Sequence, residues 1–210
     1  MHGRATLIFA AMFVGGLPGA PRDTFAVETN QLKRPPGWAV QLTKPGLPNL
    51  HQVTTNLYRG AQPTSKGMAE LKAMGIKTVI NLRAYHSDKD ELVRAGSDFK
   101  QGRFHMKAWH GEDKDVIRFL KIVSDTNNLP AFVHCQHGAD RTGLMCAMYR
   151  ITVCGWTKPE AISEMTQGEF GFHRIWKNLL TYIKRADVDE IKRRAGIATE
   201  SAPGQSQSGK

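Results

Sequence analysis

Cysteine is scarce in this sequence: Cys135, Cys146 and Cys154 are the only three, and all fall within one short stretch of a 210-residue chain. They are too few and too clustered to form a disulfide framework, and an odd count leaves at least one thiol free or paired between molecules. Acidic residues are also in deficit, 19 against 29 lysines and arginines, for a formal net charge of +10. That balance draws phosphorylated substrates and polyanions in general, but charge alone does not separate a ligand site from a solvated surface. There is no internal repeat and no low-complexity core, which excludes solenoids and fibrous folds. The one conspicuous apolar run, ATLIFAAMFVGGLPGA, is broken by glycine and proline and too short to span a bilayer comfortably.

That run follows an early basic residue, Arg4, and precedes TFA, which sets small residues before a cut after Ala26. The layout is that of a secretory signal peptide over residues 1–26. An exported, periplasmic protein is expected, without stable membrane insertion once the signal is removed. The alternatives are a cytoplasmic chain or one anchored by an uncleaved N-terminus. Residues 27–50, rich in proline, glycine and basic residues, read as an irregular arm. A domain is expected over 51–195, and the small polar residues of 196–210 read as a disordered tail.

Within the domain, strand and helix signals alternate. NLYRG reads as a first strand or turn, and TSKGMAELKAMG as a helix with Thr64 or Ser65 at its N-cap and Gly75 at its end. IKTVINL is a buried strand. SDKDELVRAG is a short helix in which Asp88 and Glu91 are spaced as a capping box variant, and RFHMKAW is another strand. Apolar residues Val116, Phe119, Leu120 and Val123 recur at helical spacing over 113–125. AFVHC is then a strand, TGLMCAMYRITVCG a buried helix, and PEAISEMTQ a helix opened by a Thr157/Glu160 capping box. A last helix runs from near Ile175 through WKNLLTYIKRA. The pattern predicts an α/β fold: a central, mostly parallel sheet flanked by helices.

The chemistry concentrates in HCQHGADRTG, residues 134–143, at the C-terminal end of a strand and the N-terminus of a helix, where open α/β sheets bind ligands. A tight turn there aims backbone N–H groups at one point, and the helix dipole adds positive charge. Gly138 permits the close approach of backbone to an anion. Arg141 offers a planar fork to two phosphate oxygens. Cys135 sits in the same field, which favours the thiolate. A thiolate facing a bound phosphate is a nucleophile in line with phosphorus.

The same residues carry a family resemblance. Cysteine, five residues, arginine and a hydroxyl residue, preceded by histidine, resembles the signature loop of cysteine-based protein tyrosine and dual-specificity phosphatases. The likeness extends from NLYRGAQPT through IKTVINLR to AMYRITVCGW and is closest to secreted bacterial members. It implies the phosphotyrosine-phosphatase-like fold of the dual-specificity type. It also implies Cys135 as nucleophile through a phosphocysteine, Arg141 as transition-state stabiliser, Thr142 as an aid to thiolate departure, and His134 as orienter of the loop. The stretch Gln136, His137, Gly138, Ala139, Asp140 and Arg141 would hold the phosphate. No metal and no cofactor are implied.

Other readings of the loop are weaker. HCQH as a zinc half-site lacks a second ligand pair at useful spacing, a rhodanese-type sulfurtransferase uses a shorter loop, and a purely structural cysteine needs no glycine and arginine beside it. A catalytically weak phosphate-binding module would lack an acid. Relatives of this family supply the acid from a loop ahead of the signature strand. Here AWHGEDKD offers Asp113, 22 residues before Cys135, with Glu112 beside it; both equally suit the first turn of a helix. Asp140, inside the signature, resembles an aspartate proposed as the acid in a subgroup of bacterial lipid and tyrosine phosphatases. The order of expectation is Asp113, Asp140, Glu112. His137 adds a titratable group to the loop. Arg59 and Gln62 are expected to anchor the first turn, and Lys107 and Arg174 to favour highly phosphorylated substrates.

Protein phosphotyrosine is the expected substrate, with an inositol polyphosphate or phosphoinositide as the alternative. No nucleic-acid partner is expected, and the chain is expected to be a monomer. Cys135 is expected to be unpaired, since Cys146 and Cys154 lie too far along the next helix to reach it.

Overall fold

The computed structural model describes residues 34–107 and 110–198. The signal-like segment and most of the polar tail lie outside the described residues. Six strands form one sheet in the order β1-β2-β3-β6-β4-β5. They are β1 (Val40–Gln41), β2 (His51–Thr54), β3 (Leu57–Gly60), β4 (Thr78–Arg83), β5 (Lys100–Met106) and β6 (Ala131–His134). The pairings β3–β6, β6–β4 and β4–β5 are parallel, whereas β1–β2 and β2–β3 are antiparallel. The sheet is thus mostly parallel, with an antiparallel edge built by the arm. Residues 27–50 are not irregular throughout: Val40 and Gln41 pair with Gln52 and His51.

Helices α1 (Ser65–Ala73) and α2 (Lys89–Ala95) precede α3 (Asp113–Ser124), α4 (Asp140–Thr152), α5 (Lys158–Gln167), α6 (Lys177–Arg185) and α7 (Val188–Ala195). The strands face two cores, as the period-2 alternation of a strand requires. Phe132 and Val79 point to the side of α1 and α2, against Met68, Leu71 and Leu92. Ala131, Val133, Ile80 and Leu82 point to the other side, against Phe119, Leu144 and Met148 of α3 and α4. Strand β6 is buried on both faces because parallel strands flank it and helices cover it, which is why Ala131, Phe132 and Val133 are all apolar.

The caps follow the sequence in two places and depart from it in a third. Thr64 accepts from the Gly67 N–H, and Thr157 with Glu160 forms a reciprocal capping box. Asp88 stands at the N-cap of α2 but makes no side-chain cap, because its carboxylate is engaged elsewhere. The C-terminal region holds two helices where one was expected: α6 ends at Arg185, and Asp187 then caps α7 by accepting from the Glu190 N–H, with Gly196 in the left-handed conformation closing it.

Candidate active site

Strand β6 ends at His134, Cys135 follows, and α4 begins at Asp140, so residues 135–139 make the turn from strand to helix. The path of this turn is fixed by contacts made to its outer side. The Gln136 carbonyl accepts from the Gln62 N–H at 3.3 Å. The His137 carbonyl accepts from the Asn49 amide at 2.9 Å. The Gly138 carbonyl accepts from the Arg59 guanidinium at 2.7 Å. In a planar trans peptide the N–H points opposite to the carbonyl. Holding three successive carbonyls outward therefore turns the following N–H groups inward, the arrangement that binds an anion.

Arg59 is buried, spans from β3 to the loop, and stacks over the Phe170 ring at 3.7 Å. Burial pulls its guanidinium below the ordinary arginine range. Gly138 has φ of +71°, and a Cβ there would lie 2.5 Å from the backbone of Gly60. Both facts require glycine.

Cys135 is 2% exposed at the start of this turn, and all three cysteines are free thiols. Burial pushes the Cys146 thiol, on α4, up to about 11. His134 is fully buried, with Nε2 3.0 Å from Asp88 and Nδ1 3.4 Å from the Cys135 carbonyl. Asp88 also accepts from the Gln62 and Asn81 amides at 2.8 and 3.0 Å. Burial alone would raise the Asp88 carboxyl; the hydrogen bonds and charge from His134 and the Gln62 amide outweigh it and hold the carboxyl below its usual range. The sequence marks Asp88 as a helix cap, and no local signal marks its contact with His134. The competing use of its carboxylate is visible only once β4 and β6 lie side by side.

The turn opens into a cleft of about 570 Å³ lined by Arg141, Arg83, Lys107, His137, Asp140 and His173, among others. Arg141 donates to the Met106 carbonyl at 3.3 Å, and Arg83 to the Gln62 side chain at 3.1 Å. Burial and the Arg141 charge both lower the Arg83 guanidinium, so two cations converge on one opening. Arg83 ends the strand IKTVINLR, and only the sheet order shows that this end meets the signature loop.

Asp140 supplies the sole carboxylate among the described residues lining the cleft. It accepts from the His173 backbone N–H at 2.9 Å and lies 2.8 Å from His173 Nδ1. His173, half-exposed, contacts the His137 ring edge-on at 5.5 Å. Asp113 opens α3 and accepts from the Tyr182 hydroxyl at 2.7 Å, and Glu112 pairs with Lys114. Neither of these carboxylates lines the cleft. The Thr142 hydroxyl is buried and has no hydrogen-bond partner among the described residues. Arg174 faces a neighbouring groove rather than the cleft, whereas Lys107 faces the cleft.

A buried cysteine under a cradle of inward N–H groups, with an arginine at the helix start, defines a cysteine-dependent phosphatase. The family model described as a DSP-PTPase phosphatase fused to NAD+ kinase matches residues 40–178, and the chain belongs to this dual-specificity phosphatase family. It is similar to the dual specificity protein phosphatase TpbA of Pseudomonas aeruginosa, 33% identical over 187 residues, which cover 89% of this chain and 82% of TpbA. Crystal structures of TpbA, one of a Cys→Ser variant in complex with pTyr, superpose with TM-scores of 0.67 at 32% identity. They cover 77% and 78% of this chain and 98% of each crystallised chain. The catalytic core of the PP-IP phosphatase Siw14 from S. cerevisiae shares the fold, with a TM-score of 0.62 at 22% identity over 73% of this chain and 94% of that one. Inositol diphosphatase DSP5 of Arabidopsis thaliana is 25% identical over 123 residues, 56% of this chain and 60% of DSP5.

Proposed function

We propose that this phosphatase acts on phosphotyrosine in proteins, with Cys135 as its nucleophile. The observation that carries the reading is the position of buried Cys135 at the start of a turn whose Gln136, His137 and Gly138 carbonyls are each held by a partner from outside it. The similarity to TpbA, one of whose structures is in complex with pTyr, supports that choice of substrate. The Cys135 thiolate attacks phosphorus and the ester oxygen departs, giving a phosphocysteine. The N–H groups of the loop and the Arg141 guanidinium bear the charge on the phosphoryl oxygens. Water then attacks the phosphocysteine, releasing inorganic phosphate and the thiolate, toward which the unpaired Thr142 hydroxyl is available to donate.

The departing oxygen takes its proton from the pair formed by Asp140 and His173, which returns to its starting state by accepting a proton from the attacking water. Position favours this pair over Asp113, since Asp140 faces the cleft and the Asp113 carboxylate is engaged by Tyr182. A second reading, an inositol polyphosphate substrate, is favoured by the three cations Arg83, Lys107 and Arg141 in one cleft and by the similarity to DSP5.

The chain is also read as exported through residues 1–26, a reading that rests on Arg4, the short apolar run and the small residues before Ala26. Among the described residues no helix is long and apolar enough to cross a membrane. Mass determination of the mature N-terminus tests this.

The decisive experiment compares kcat/KM on phosphotyrosine peptides, phosphoserine peptides and inositol phosphates. Phosphotyrosine peptides are expected to lead. Cys135→Ser is expected to abolish turnover while retaining phosphate binding, and Arg141→Ala to impair both. Turnover that persists in Cys135→Ser overturns the mechanism, and a lead for inositol phosphates replaces the substrate.

A further inference from the structure

A second cavity of about 530 Å³ adjoins the cleft, bounded by the end of α5 and one face of α6. Arg174, Lys177 and Lys184 line it together with Phe172, Leu180 and Thr181, and no carboxylate is among its described lining residues. Lys177, Leu180, Thr181 and Lys184 are spaced three, four and seven residues apart, which places them on one side of α6. Among the described residues none of the three cations is paired with an acidic side chain. Basic side chains elsewhere in the fold, such as Arg34, Lys44, Arg150 and Arg193, do have such partners.

A single stretch of chain, residues 172–177, separates this groove from the cleft. Phe172, Arg174 and Lys177 face the groove, while His173, Ile175 and Trp176 face the cleft. The two cavities are therefore neighbours across one backbone thickness, and the wall between them carries His173, the partner of Asp140.

We infer that the groove is a second subsite, which receives acidic side chains of a phosphotyrosyl protein a few residues from the reacting phosphate. The inference rests on the phosphotyrosine reading above and extends it to the flanking sequence. Charge complementarity selects an acidic ligand: three cations with no acidic partner among the described residues attract carboxylates. Apolar Phe172 and Leu180 accommodate the methylene and side-chain surface of a peptide. Location favours a peptide over a single polyphosphorylated ring. Neighbouring phosphates on one ring remain close together in the cleft, where Arg83 and Lys107 already face them. An extended peptide advances about 3.3 Å per residue and so crosses the wall within a few residues.

The test uses the full chain with paired phosphotyrosyl peptides that differ only in Asp and Glu against Asn and Gln, two to five residues from the phosphotyrosine. p-Nitrophenyl phosphate, which is too small to reach the groove, is the control, and inositol hexakisphosphate is a third arm. The wild-type enzyme is expected to prefer acidic peptides about five- to ten-fold in kcat/KM, through KM, because each exposed ion pair contributes modestly. The preference is expected to shrink at about 0.5 M salt. The combined variant Arg174→Gln, Lys177→Gln, Lys184→Gln is expected to lose the preference and keep p-nitrophenyl phosphate turnover within about two-fold. Lys184→Gln alone, near the far end of α6, is expected to give part of the loss and serves if the triple variant folds poorly.

Equal turnover of acidic and neutral peptides by an active wild-type enzyme overturns this inference alone, as does a preference that survives in the variants. So does a variant that loses only inositol hexakisphosphate turnover. Turnover of p-nitrophenyl phosphate but of no peptide overturns the phosphotyrosine reading and this inference with it.

Discussion

His134 Nε2 lies 3.0 Å from the Asp88 carboxylate, and both side chains are buried behind the loop that carries Cys135. The contact joins the start of α2 to the end of β6, 46 residues apart in sequence, and it sets the ring whose other nitrogen faces the Cys135 carbonyl. Asp88→Asn keeps the shape and removes the charge. Losing a buried hydrogen bond to a charged carboxylate costs about 2 kcal/mol, so a loss near that size is expected in urea unfolding at pH 7, with a drop of about ten-fold in kcat. Because the folded Asp88 carboxyl is held below its usual range, its contribution is present above the unfolded value near pH 4 and disappears as pH falls through the folded one. Wild type and variant should therefore converge in stability in strong acid. A constant difference across pH would show that the charge is not what matters.

Asp140 and His173 form a second carboxylate–imidazole contact, this one reaching from the start of α4 to the surface. Asp140→Asn is expected to lower kcat on phosphoserine peptides by about 100-fold, and far less on p-nitrophenyl phosphate, whose leaving group needs little protonation. His173→Gln is expected to act in the same direction more weakly, because it removes the partner that orients Asp140. Asp113→Asn is expected to leave kcat within about three-fold. If the pattern reverses, with Asp113→Asn showing the dependence on leaving group, the acid is Asp113.

Gly138→Ala tests the cradle without touching charge. The new methyl meets the Gly60 backbone at 2.5 Å, and the residue must hold φ of +71°. The strain of about 1–3 kcal/mol is expected to appear as lost stability, a large fall in phosphate affinity and near-complete loss of turnover. Retention of phosphate affinity in isothermal titration would refute the close packing of β3 against the loop.

His51 provides a stability switch at milder pH. Burial lowers it to about 4, and the Arg34 and Arg59 charges act in the same direction, against a hydrogen bond to the Asn49 carbonyl. The ring is packed edge-on against Phe170. A histidine with a depressed folded value stabilises above its unfolded value near 6.5 and loses that contribution as pH falls toward the folded one. Stability should therefore fall by about 3 kcal/mol between pH 6.5 and 4. His51→Gln is expected to flatten that part of the curve, measured by thermal unfolding at closely spaced pH.

Much of this protein was legible in order along the chain. The alternation of apolar strands with amphipathic helices gave the α/β class, because burial on two faces demands that pattern. HCQHGADRTG points to the proposed nucleophile and anion loop, because its spacing is local: cysteine, glycine and arginine fall within one turn of backbone. The second C-terminal helix falls in a stretch given no element although the domain was expected to reach 195, and Asp187 and Gly196 mark its ends. Partnership between distant residues was not readable. Asp88 carries the same letter whether it caps α2 or holds His134, and the choice depends on β4 and β6 lying side by side. Likewise the sequence ranks Asp113 ahead of Asp140, and only the packing of α6 and of residues 172–176 sets one against Tyr182 and the other against His173. The inward turn of the anion-binding N–H groups depends on Asn49, Arg59 and Gln62, all more than 70 residues upstream of the loop. A local motif can specify which atoms react, but the direction in which a backbone points is fixed by what hydrogen-bonds to its other side.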